Sequence, residues 1–91
     1  MIEKVLKINN KYGIHARPAA LIVKEASKFS SEIFFVKNDN KVSCRSIMEL
    51  MAIEGFPGTE VKMVVDGKDE LAAARAIEEL FDNKFNESNI E

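Results

Sequence analysis

The sequence predicts a two-layer α+β domain, an open-faced sandwich in which three helices cover one face of a four-stranded antiparallel sheet. Three observations carry this expectation. Three segments repeat apolar residues at helical spacing, and four others have the alternation or β-branched and aromatic content of strands. A tight Asn38-Asp39-Asn40 turn joins the two middle strands and makes them antiparallel.

The elements follow in the order β-α-β-β-α-β-α. Ile2 to Ile8 sets Ile2, Leu6 and Ile8 against Glu3 and Lys7, a strand interrupted by Lys4 and Val5. Asn9-Asn10-Lys11-Tyr12-Gly13 is a loop. Pro18 suits the first turn of a helix, where its missing N–H is not needed. Ala19, Ile22, Val23, Ala26 and Phe29 then form one stripe, and Ser30 and Ser31 are expected to end the helix. Ile33 to Val36 and Lys41 to Cys44 flank the Asn38–Asn40 turn. Ser46-Ile47-Met48-Glu49 reads as a capping box, with Glu49 reaching back to Ser46, and opens a short helix that stops before Pro57. Glu60 to Asp66 is the clearest strand, with Val61, Met63 and Val65 inward. Asp69 is placed to cap a third helix carrying Ala73, Ala74, Ile77, Leu80 and Phe81. The chain is expected to form one domain over residues 1–91, with 83–91 a frayed tail that has only Phe85 and Ile90 to bury.

Composition narrows the function classes. One cysteine excludes an internal disulfide and a Cys-based metal cluster, and one histidine excludes a multi-His site. There is no Walker A loop, GxGxxG or nucleophile elbow. No metal or cofactor is therefore expected, nor an enzyme that completes its own catalytic cycle. The longest apolar run is far below the roughly 20 residues of a membrane span, and the N-terminus carries charges where a signal peptide needs apolar residues. The expected location is the cytoplasm, with Cys44 a free thiol on a partly buried strand. A net charge of −2, without a basic aromatic motif, argues against nucleic acid. Charge is unevenly spread: residues 1–45 hold nine Lys/Arg against four Asp/Glu, and residues 46–91 hold four against eleven. Two readings fit: a first half that faces an anionic partner, or mixed solvated faces, since halves of a sequence are not surfaces.

Chemistry concentrates in Gly13-Ile14-His15-Ala16-Arg17-Pro18-Ala19-Ala20. The only histidine stands where the first helix begins, a place with free N–H groups and partial positive charge that suits phosphate. That charge favours the neutral imidazole, a nucleophile, and Arg17 supplies a guanidinium to grip phosphate oxygens. Reversible phosphorylation of His15 is one reading; a histidine that merely caps the helix is the commoner one. Ser46 likewise reads first as a structural N-cap, and second as a hydroxyl whose phosphate the helix dipole would tolerate. In the second helix, Leu50 and Ile53 suit the core. Ile47, Met48 and Met51 are then left partly outside as an adaptable docking patch, with full burial of all five an even alternative.

Taken together, these residues resemble HPr, the histidine-containing phosphocarrier family of the bacterial phosphoenolpyruvate-dependent phosphotransferase system. The resemblance spans Ile2 to Phe81 and rests on Gly13-Ile14-His15-Ala16-Arg17-Pro18-Ala19 together with Ser46-Ile47-Met48 at the expected separation. It implies strand order 1-4-2-3. It implies that His15 accepts a phosphoryl group on Nδ1 from Enzyme I and passes it to an Enzyme IIA acceptor, with Arg17 stabilising it. It also implies that Ser46 is a substrate of HPr kinase/phosphorylase, that Ile47, Met48 and Met51 belong to the shared partner surface, and that in some bacteria phospho-Ser46 recruits a transcription regulator. A monomer is expected. The alternative is a mainly regulatory or nitrogen-branch protein acting through Ser46 and partner binding. Two positions depart from the family pattern: Glu49 and Glu54 stand where glycine is common. Gly55 is expected to take over the helix-ending role one residue later.

Overall fold

A computed structural model describes residues 1–85. The order is β1 (Ile2–Lys7), α1 (Ala16–Ala26), β2 (Glu32–Lys37), β3 (Asn40–Ser43), α2 (Ile47–Ala52), β4 (Glu60–Asp66) and α3 (Glu70–Asp82). The sheet runs β1-β4-β2-β3 with every neighbouring pair antiparallel. Register pairs Leu6 with Val61, Ile33 with Val65, and Phe35 with both Met63 and Val42. Because side chains alternate across a strand, these residues share one face. They join Ile22, Ala26, Leu50, Ile77 and Phe81 from the helices in a single buried cluster. The opposite face keeps Val5 exposed and Phe34, Val36 and Val64 half-buried, with the Lys41 ammonium 4.2 Å from the Phe34 ring centroid. The predicted open-faced α+β sandwich and its strand order are as observed.

Several expected boundaries are corrected. Helix α1 stops at Ala26, not at Ser30 and Ser31. The Ser27 hydroxyl donates to the Lys24 carbonyl at 2.8 Å and closes the last turn early. Ser30 and Ser31 have a different partner. Asp69 holds the N-cap position of α3 but makes no side-chain cap bond. Its carboxylate instead reaches across the fold and accepts the Ser30 and Ser31 N–H groups, both at 2.9 Å, and the Ser31 hydroxyl. That hydroxyl, then the Ser30 N–H, hold the Asp69 carboxyl below the usual carboxylate range. A carboxylate so shifted stabilises the fold above its unfolded pKa of about 3.9, and the contribution fades as pH falls through the folded value. Asp69→Asn is therefore expected to melt below the parent at neutral pH, with the gap narrowing under about pH 4. Melting temperature measured against pH checks this; a gap independent of pH would contradict it.

The end of α2 is also corrected. Gly55 does not take the left-handed position; Glu54 does, with φ +54°. The Lys37 ammonium donates to the Ile53 and Glu54 carbonyls at 3.0 and 2.9 Å, meeting acceptors that the helix end leaves open. Gly55 is needed for closeness instead: a Cβ there would lie 2.8 Å from Ile8 Cδ1. A non-glycine residue in the left-handed region costs about 1–3 kcal/mol, partly offset by glycine's greater entropy when unfolded. Glu54→Gly is expected to stabilise by about 1 kcal/mol, raising the melting temperature by about 4–8 °C. A lower melting temperature would refute the strain argument.

The tail expectation fails at its start. Phe85 is fully buried, with its ring centroid 5.0 Å from that of Phe81, which in turn meets Phe35 at 5.7 Å. Phe85 thus packs on the core while Asn83 and Lys84 stay exposed; Ile90 and the rest of 86–91 lie outside the described residues. Cys44 is fully rather than partly buried, and burial pushes its thiol pKa up despite the charge of neighbouring Arg45. Among the described residues, no helix is long and apolar enough to cross a membrane.

Candidate functional site

The loop before α1 is shaped by its own small and polar residues. Asn10 is buried and donates from Nδ2 to the Gly13 carbonyl at 2.8 Å. Gly13 takes φ +70°, and a Cβ there would lie 2.2 Å from the Gly55 carbonyl oxygen. The Ile14 N–H donates to that same oxygen at 2.8 Å, and the Ile14 side chain is buried. The chain is thus pinned to the segment behind α2 immediately before His15.

His15 is the N-cap of α1, with extended backbone at φ −115° and ψ −164°. Its carbonyl accepts the first helical bond, from the Ala19 N–H at 3.0 Å. Its side chain makes no cap hydrogen bond, which removes the helix-cap account of the imidazole. The ring is half-buried, with Tyr12 edge-on at 6.0 Å. The N–H groups of Ala16 and Arg17 precede any intrahelical acceptor, and Pro18 has none to offer. No acidic residue stands in this first turn to neutralise the helix end. A histidine at the N-cap of a helix whose first turn holds no acidic residue stands at a positive dipole end, an arrangement that accepts and retains an anionic group.

Arg17 is exposed at the second helical position, and its Nη1 donates to the Phe85 main-chain carbonyl at 2.8 Å. No sequence signal pointed to Phe85 as a neighbour of the site.

Ser46 caps α2 as predicted, its hydroxyl accepting the Glu49 N–H at 3.2 Å. The other half of the predicted capping box is corrected: the Glu49 carboxylate accepts the Ser43 N–H at 2.9 Å instead. The Ser46 N–H is already bonded to the Ser43 carbonyl. Arg45 is turned away, donating from Nη2 to the Phe29 and Ser31 carbonyls. Ser46 caps the start of α2, whereas Gly55, whose carbonyl anchors the His15 loop, follows the end of that six-residue helix.

Between them the apolar residues divide as expected. Leu50 and Ile53 are buried, whereas Ile47, Met48 and Met51 are exposed by 40, 83 and 44%. Two further aromatics are exposed, Tyr12, whose ring centroid is 6.0 Å from that of His15, and Phe56. The backbone of Phe56 lies against Gly13. The available signal was a large aromatic set among turn residues, in Gly55-Phe56-Pro57-Gly58, with no apolar partner at strand or helix spacing.

A family model described as "PTS HPr component phosphorylation site" matches residues 2–83. The chain is 49% identical over 87 residues to the phosphocarrier protein HPr of Treponema pallidum (strain Nichols), covering 96% of this chain and 99% of that one. It is 42% identical over 73 residues to the HPr-like protein Crh of Bacillus subtilis (strain 168), covering 80% and 86%. A crystal structure of HPr-C-His from Thermoanaerobacter tengcongensis superposes with a TM-score of 0.91 at 46% identity, covering 96% and 98%. A crystal structure of Bacillus subtilis Crh, described as a swapped dimer, gives 0.74 at 37% identity, covering 92% and 97%.

Proposed function

The chain belongs to the HPr family of the phosphotransferase system, and from that membership we propose that it carries a phosphoryl group on His15 between Enzyme I and Enzyme IIA acceptors in sugar uptake. The observation that supports this best is the His15 side chain itself: half-buried, not engaged in capping, and carried by the N-cap residue of α1. In the proposed step the Nδ1 lone pair attacks phosphorus. The bond from phosphorus to the donor's histidine nitrogen breaks, and the new P–Nδ1 bond forms. The helix N–H groups and the Arg17 guanidinium stabilise the transferred charge. Transfer to the acceptor reverses these roles. The protein is then a carrier and not a catalyst with its own cycle, acting in the cytoplasm as a single-domain monomer.

Ile47, Met48 and Met51, extended by Tyr12 and Phe56, form the docking surface in this reading. Flexible thioethers suit partners of differing shape. Ser46 is the proposed regulatory position, phosphorylated by HPr kinase/phosphorylase. A second reading, in which Ser46 phosphorylation and binding of a transcription regulator are the main output, is favoured by the Crh relatives. Two features weigh against it. The Glu49 carboxylate lies beside Ser46 and repels a phosphate, and Arg45 is engaged elsewhere.

A two-arm assay tests both. Enzyme I with phosphoenolpyruvate is expected to give acid-labile, base-stable phosphate that moves on to an Enzyme IIA protein. HPr kinase with ATP gives acid-stable phosphate on Ser46 if regulation operates. Failure of the first arm with success of the second reverses the ranking.

A further inference from the structure

We propose that Lys37 is a positioning residue for Phe56, which it presets as an aromatic anchor of the docking surface for Enzyme I. The proposal rests on the docking reading above and adds to it a residue of β2 that is not itself part of that surface. Three observations carry it. The first is where the lysine stands. Ile33 and Phe35 are buried on the helix-covered face of the sheet, and strand alternation places Lys37 on the same face. A charged residue at a half-buried, inward position needs acceptors for its ammonium. The second is what that ammonium meets. It donates to the Ile53 and Glu54 carbonyls at 3.0 and 2.9 Å, across 16 and 17 residues of sequence, and lies 5.9 Å from the Phe56 ring centroid. The third is how the ring is presented. Phe56 is 63% exposed, and its N–H donates to the same Glu54 carbonyl at 3.0 Å. One lysine thus holds both the ring and the backbone from which the ring springs.

The physical argument is preorganisation. An exposed aromatic side chain on a loop loses rotamer freedom when a partner fixes it. A cation–π contact in the unbound protein restricts the ring beforehand, so less freedom is lost on docking. Location gives the ring a use. A Cβ on Gly13 would lie 3.2 Å from Phe56 Cα, so Phe56 stands beside the loop that leads into His15. That loop has its own anchor. Lys37 holds the Ile53 and Glu54 carbonyls, whereas the Ile14 N–H hangs on the next one, that of Gly55. Lys37 therefore acts on docking and not on the reactivity of the imidazole, and the two effects separate in experiment.

The test uses the full 91-residue chain in two reactions. One is phosphorylation by Enzyme I with phosphoenolpyruvate, at varied concentrations of this protein. The other uses phosphoramidate, which phosphorylates histidine without any protein partner. Lys37→Met removes the charge and the donors but keeps an unbranched stem. It is expected to raise KM in the Enzyme I reaction about threefold at unchanged kcat, the scale of one exposed cation–π contact, and to leave the phosphoramidate rate at the parent value. Lys37→Arg, which keeps a cation with donors, is expected to restore KM. Phe56 side-chain couplings measured by NMR should report one dominant rotamer in the parent and in Lys37→Arg, and averaging in Lys37→Met. In a Phe56→Ala background, Lys37→Met should raise KM no further; a purely structural role would act in both backgrounds alike. An unchanged KM in folded Lys37→Met, or a phosphoramidate rate that falls with the Enzyme I rate, overturns the proposal. If Lys37→Met does not fold, the parent ring decides: averaged Phe56 couplings there, or a Phe56→Ala protein with the parent KM, overturn it. A KM raised by Met48→Ala but not by Lys37→Met overturns the Lys37 role alone. A KM that Met48→Ala, Met51→Ala and Phe56→Ala all leave unchanged overturns the docking reading with it.

Discussion

His15→Ala abolishes acid-labile phosphorylation altogether while leaving the protein folded; this is the expected result with the largest effect on function. The first half follows from composition. There is one histidine, and no other side chain in the chain offers an imidazole to form a P–N bond. The second half follows from geometry. The imidazole makes no cap bond, so the roughly 1 kcal/mol that a capping side chain contributes is not there to lose. The helix-start carbonyl bond from Ala19 belongs to the backbone and survives the substitution. His15 is half-buried with Tyr12 edge-on to its ring, so the expected loss is about 1 kcal/mol, the common size for a single substitution and too small to unfold the chain. Ser46→Ala is the matched control: it loses a real cap bond and about 1 kcal/mol of stability, yet keeps acid-labile phosphate. Intact mass before and after acid treatment, together with a thermal melt, checks all of this. Acid-labile phosphate persisting on the His15 variant would remove the basis of the proposed function.

What sequence reasoning could and could not see follows from the range of the interactions. Alternation in β4 and the stripe in α1 report burial directly, since Val61, Met63, Val65, Ala19, Ile22 and Ala26 are all buried as their spacing predicted. His15, Ser46 and the outward Met48 were also legible, because helix starts and stripe edges are local features. Errors cluster where a polar side chain has two candidate partners. Asp69 was assigned to its own helix, but the Ser30 and Ser31 N–H groups and the Ser31 hydroxyl offered three donors to one carboxylate. Glu49 was assigned to Ser46, but the Ser46 N–H was already bonded and the Ser43 N–H was open. Phe85 looked isolated because its partners, Phe81 and Arg17, lie one turn back along a helix and at the other end of the chain. Each choice is settled by tertiary geometry that no local pattern encodes.

Gly13→Ala tests the largest of these long-range dependences. Two penalties act together there. The residue sits at φ +70°, a strain of about 1–3 kcal/mol for alanine. The new methyl would also lie 2.2 Å from the Gly55 carbonyl oxygen, a backbone atom that cannot swing aside. Relieving that overlap costs about 1–3 kcal/mol more and breaks the Ile14 to Gly55 bond that pins the chain before His15. The expected loss is about 3 kcal/mol, a fall of about 12–24 °C in melting temperature, against a total stability of about 5–14 kcal/mol. Gly55→Ala is the comparison, because the atoms nearest its methyl belong to side chains, Ile8 Cδ1 at 2.8 Å and Ile14 Cδ1 and Cγ1 at 3.2 Å, and can give way more easily than a backbone oxygen. Its loss should be about half as large. Function separates the two further. Displacing the Gly13 turn moves His15 relative to the start of α1, so the Gly13 variant should take up phosphate more slowly even at temperatures where it is fully folded, whereas the Gly55 variant should not. A Gly13 variant that melts within a few degrees of the parent would mean that the loop and α2 part easily. His15 would then be positioned by α1 alone and not by the junction of the two segments.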